Sequence, residues 1–77
     1  MKATLDAVAM EALLAWFRED SERAFILTHE HGQNVVRLRL GASAKGIEAK
    51  GPELGPAIVA ALDAWQTWAR VNVRASL

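Results

Sequence analysis

The chain has 77 residues, with nine Lys and Arg balanced by nine Asp and Glu, 52% hydrophobic and 23% charged residues, and no cysteine. That length holds one domain with one hydrophobic core, and the apolar fraction excludes a disordered, self-repelling chain. The charge balance excludes a global positive field of the kind that draws a protein to nucleic acid, so any such binding needs a local patch.

The start, Met1 to Asp6, carries one basic residue and reaches Asp6 and Glu11 before any long apolar run, unlike a secretory signal. No stretch approaches the ~20 apolar residues of a membrane span. The expectation is a cytoplasmic chain without membrane association. Lacking disulfides or a metal cage, so short a chain has self-association as a route to burying further surface.

Thr4 to Arg18 contains no Gly or Pro, and Leu5, Val8, Ala9, Ala12, Leu13 and Trp16 recur at helical spacing, which predicts the first helix. Thr4, Ala7, Glu11, Ala15 and Arg18 share a narrow opposite face. Met10, Leu14 and Phe17 widen the apolar stripe beyond what one sheet face covers, as expected of a second contact surface or of a helix clasped between sheet and loops. Glu19-Asp20-Ser21-Glu22 ends this helix, and Glu22 to Glu30 reads as a strand of high β-propensity.

Val35-Val36-Arg37-Leu38-Arg39-Leu40 alternates apolar with basic residues and predicts a second strand with one buried face. A two-residue Gly32-Gln33 loop would place Leu27 opposite Leu38 and Phe25 opposite Leu40, leaving Ile26, Thr28, Val35, Arg37 and Arg39 on the other face. Gly41 to Gly46 reads as a turn, and Ile47-Glu48-Ala49-Lys50 as a short third strand at the edge. Gly51 to Pro56 is a breaker cluster. Ala57 to Arg70 then repeats at helical period through Ile58, Ala61, Leu62, Trp65 and Ala69, with Leu54 in the first turn and a frayed tail beyond Val71.

The predicted architecture is α+β: a single α-β-β-β-α domain over residues 1–77, a three-stranded antiparallel sheet with two helices packed on one face. Phe25, Leu27, Val36, Leu38, Leu40 and Ile47 form the inner sheet face. Leu5, Val8, Leu13, Trp16, Ile58, Leu62 and Trp65 lead the helices against it.

His29 and His31, two apart on a strand, would point the same way and could share a metal, but a third ligand is missing and no cysteine supplies one. Solvated histidines at a polar hairpin end are the simpler reading. As general bases they lack a nucleophile in reach, and Ser21, Ser43 and Ser76 have no elbow-like context. Gly41, Gly46, Gly51 and Gly55 form no phosphate loop. The expectation is no enzyme, no cofactor and no metal. Arg37, Arg39 and Lys50 could make a modest basic strip, weakened by Glu48 on the same face. Trp16 and Trp65 lie centrally on their apolar faces and read as core. Trp68, toward the flank, joins Met10, Leu14 and Phe17 as a candidate interface.

The order helix, three strands, helix resembles that of double-stranded-RNA-binding domains and of HicA-type toxins. The resemblance implies that fold and an RNA-binding alternative. Those RNA-binding domains carry a lysine cluster at the start of the last helix, whereas Pro52-Glu53-Leu54-Gly55-Pro56-Ala57 has no basic residue, so that role does not carry over. Gly46 to Gly51 followed by Ala57-Ile58 and Ala61-Leu62 is similar to the strand-turn-helix of HicB-type antitoxins over about a quarter of the chain. The functional expectation is a non-enzymatic protein-interaction module, a homodimeric accessory protein of bacterial or prophage genomes that binds itself or another protein. An RNA- or DNA-binding module and a small toxin–antitoxin component are the alternatives.

Overall fold

The structure, a computed structural model, describes the backbone of residues 2–40 and 46–76 and the side chains of residues 5–39 and 46–71. Helix α1 (Lys2–Arg18) is followed by strands β1 (Arg23–Glu30), β2 (Gln33–Leu40) and β3 (Gly46–Gly51), and by helix α2 (Leu54–Ser76). The strands form an antiparallel sheet in the order β1-β2-β3. This is the predicted α+β arrangement. Residues 41–45 of the turn expected over Gly41 to Gly46, and the side chain of Leu40, lie outside the described residues.

Period-two patterning sets the faces of the sheet. Phe25 and Leu27 of β1, Val36 and Leu38 of β2 and Ile47 and Ala49 of β3 share the inner face. Against them pack Ala9, Leu13 and Trp16 of α1 and Ala57, Ile58 and Ala61 of α2, all buried. Helix α2 lies on β2 and β3, while the backbone of α1 lies chiefly against α2 and comes closest to the sheet at β1.

The hairpin differs from expectation by two residues. Its loop is His31-Gly32, so Phe25 faces Leu38, Leu27 faces Val36 and Arg23 faces Leu40. Both loop residues have positive φ, 53° at His31 and 75° at Gly32, the geometry of a type I′ turn. Its twist matches that of the flanking strands, and glycine fits the second position. Because the shift is even, no side chain changes face.

Two further expectations are corrected. Leu5 and Val8, predicted to lead the core face of α1, are 46% and 58% exposed, and the buried line runs through Ala9, Leu13 and Trp16 instead. Apolar residues surround most of α1, so periodicity alone leaves its rotation open and the contact with α2 decides it. The expected fraying beyond Val71 gives way to helix through Ser76.

The two helix starts are joined by a long-range cap. Asp6 Oδ1 accepts the Gly55 N–H at 2.9 Å, satisfying one of the amide donors that α2 leaves free in its first turn. A Cβ at Gly55 would stand 2.6 Å from that oxygen and 3.2 Å from Leu5 Cγ, so only glycine permits the approach. Gly55→Ala therefore destabilises by about 1–3 kcal/mol despite alanine's higher helix propensity. Asp6→Ala costs about 1 kcal/mol. Urea unfolding of both single variants and the double should show a strongly sub-additive sum.

Candidate functional site

At the far end of the helix pair, Arg23 opens β1 directly beneath the end of α1. The Asp20 carbonyl accepts the Arg23 N–H at 3.1 Å, and Asp20 Oδ1 accepts the Glu22 N–H at 2.9 Å, which makes the connection a tight Asx-type turn. The Arg23 guanidinium donates to the Trp16 carbonyl at 2.8 Å and pairs with Glu19 at 2.7 Å. It also stacks 5.1 Å from the Trp16 ring and 4.6 Å from the Trp65 ring. The two indoles meet edge to face at 6.0 Å.

One side chain thus ends α1, starts β1 and ties both to α2. A cation at a helix C-terminus is favourable, and a cation sandwiched between indoles gains further when partly desolvated. Trp16 Nε1 is buried without a hydrogen-bond partner, so this indole contributes through its ring. Trp16 is core, as predicted, and Trp65, predicted to be core as well, is partly buried and packs against it; the arginine between them was not anticipated. A groove between the helices opens beside the cluster, lined by Ala12, Ala15, Trp16, Glu19, Leu62, Trp65 and Gln66.

Arg37, Arg39 and Lys50, the residues of the expected basic strip, lie on the outer sheet face. Arg37 Nε donates to Glu48 Oε2 at 2.7 Å, its Nη2 lies 3.9 Å from Glu30, and Lys50 Nζ lies 3.6 Å from the other oxygen of Glu48. Thr28 Oγ1 donates to Glu30. Two of the three cations are therefore matched on the face itself, and Arg39 is exposed without an ion pair to any described residue. Within this polar lattice Val35 is only 2% exposed, between Thr28 and Lys50 in the ladder. The stems of such long side chains cover apolar surface well.

The histidines are not brought together on a strand. His29 sits in β1 opposite Asn34 and His31 is the first residue of the turn; both are exposed. The described residues contain no group of three or more His, Cys, Asp or Glu able to hold a metal. Ser21 is exposed, and Ser43 and the side chain of Ser76 lie outside the described residues.

The candidate interface residues divide. Met10 packs against the core, Leu14 and Trp68 are half-buried, and Phe17, 40% exposed, meets Phe25 edge to face at 5.4 Å. Helical spacing puts Met10, Leu14 and Phe17 on the flank of α1 that borders β1. A second exposed apolar group lies elsewhere: Leu5 and Val8 on α1, and Val59, 43% exposed, on α2. No described helix is long and apolar enough to cross a membrane. No family model, curated protein or solved structure matches the chain.

Arg23→Ala should lower stability by about 1–2 kcal/mol and shift the tryptophan emission, with Arg23→Lys restoring only part of the loss because an ammonium cannot stack as a plane. The hydrogen bond from Arg37 is the largest influence on the Glu48 carboxyl and holds it below its ordinary range; desolvation opposes this and Lys50 adds to it. In turn, Glu48 raises Arg37. A carboxylate lowered on folding stabilises fully above the ordinary glutamate pKa of about 4.3, and that stabilisation is lost as pH falls through the folded value. Glu48→Gln should therefore differ from the parent in urea midpoint near neutrality, the difference closing on acidification below that range.

Proposed function

We propose that this chain is a non-enzymatic protein-interaction module that associates with itself. The carrying observation is the distribution of large apolar side chains left uncovered by the fold: Leu5, Val8, Val59 and Val71 on the helices, Phe17 at the end of α1 and Ile26 in β1, each at least 40% exposed. A 77-residue fold has little apolar surface to spare, and association is the ordinary way to cover it. The outer sheet face offers nucleic acid little, because Glu48 and Glu30 already engage Arg37 and Lys50. The separation of His29 from His31 and their exposure favour a solvated hairpin end over a reacting pair.

Light scattering across a concentration series tests the reading. The mass should climb from 8.4 kDa toward that of a dimer. A mass fixed at the monomer value at every concentration would remove self-association.

A further inference from the structure

We propose that β1 is the contact, pairing antiparallel with β1 of a second copy so that the two sheets become continuous; this rests on the self-association reading above and names its site. The turn geometry identifies the open edge. A two-residue loop closes on the hydrogen-bonded pair Glu30 and Gln33, and antiparallel pairs alternate between bonded and non-bonded. The even-numbered residues of β1 therefore spend their N–H and C=O groups on β2. Those of Phe25, Leu27 and His29 point away from the sheet, as does the Arg23 carbonyl, while the Arg23 N–H is spent on the Asp20 carbonyl.

This edge carries few of the usual protections, its charged residues being Arg23 and Glu30 at its two ends. Arg23–Glu30 is eight residues long, without Pro, Gly or Lys, and pairs with β2 in unbroken register, with no bulge to twist it aside. The opposite edge, β3, is shorter at six residues, carries the Glu48 and Lys50 charges and runs directly into Pro52.

The sequence of β1 is complementary to itself in one register. Centred on Ile26, antiparallel pairing sets Ile26 of one copy against Ile26 of the other, Phe25 against Leu27, Ala24 against Thr28 and Arg23 against His29. Glu30 falls beyond the paired span, at the level of Glu22 in the turn that precedes β1, so the two carboxylates lie at the exposed ends of the contact rather than within it. Centring on Leu27 would instead oppose Phe25 to His29, Ile26 to Thr28 and Ala24 to Glu30, apolar against polar on both sides of the central Leu27 pair. In the Ile26 register the outward-pointing groups of Phe25 and Leu27 fall into bonded pairs, and the exposed Ile26 side chains meet in the closer, non-bonded pair on the outer face. The Met10, Leu14 and Phe17 flank of α1 borders the same edge, so that apolar surface continues the contact on the inner side. The net formal charge of zero on each copy sets no long-range barrier to pairing.

The absence of cysteine makes the test direct. A non-bonded antiparallel pair has its Cα atoms ~4.5 Å apart, within the range a disulfide spans. Under mild oxidation Ile26→Cys should convert largely to a covalent dimer. Thr28→Cys, which faces Ala24, and Val8→Cys, on the other apolar group, should not. His29→Pro removes an outward N–H while leaving the bonds to β2 intact, and should weaken the dimer about tenfold or more with the monomer still folded. A protein that doubles in mass while Ile26→Cys fails to cross-link, or while Val8→Cys cross-links in its place, overturns the β1 contact and leaves self-association standing. A protein monomeric at every concentration overturns both.

Discussion

At Gly55 the backbone of α2 comes so close to α1 that a single added carbon would collide with Asp6. The remaining architecture follows from that approach. It fixes the helix starts side by side, with Asp6 capping the amide it touches. Ten residues further along α2, Trp65 consequently meets Trp16 of α1. The helices therefore run in the same direction as one layer, and the face of α1 turned inward is the line Ala9, Leu13, Trp16. Leu5 and Val8 are left on the outer flank as a result.

The Arg23 cluster closes the other end of that layer. It sits where α1 stops, β1 starts and α2 passes, and it meets three separate needs: an acceptor-rich helix end, two indole faces and the Glu19 carboxylate. Between the Asp6 cap and the Arg23 clamp, the helix pair is pinned at both ends by polar contacts across a mostly aliphatic seam. The sheet behind it is pinned differently, by the ladder of Arg37, Glu48, Lys50 and Glu30 on its solvent face. Charge in these two places is thus used internally to hold elements together.

The sequence by itself determined the order of elements, the two faces of the sheet and the buried face of α2. These are local, periodic properties. Alternation in Phe25–Leu27 and Val36–Leu38 tells inside from outside whatever the register, and the contrast of Ile58, Ala61, Leu62 and Trp65 with Asp63, Gln66 and Arg70 orients a strongly amphipathic helix. What the tertiary structure alone decided was set by contacts between residues far apart in the chain. The rotation of α1 was one, because an almost uniformly apolar helix has no preferred face until α2 approaches it. The hairpin register was another, because Gly32 fits a turn beginning at His31 as readily as one beginning at Gly32 itself, and only the pairing energy of the full ladder separates them. The reach of Asp6 to Gly55 and of Arg23 to two tryptophans left no periodic trace, since each is a single polar residue whose partner only folding brings near.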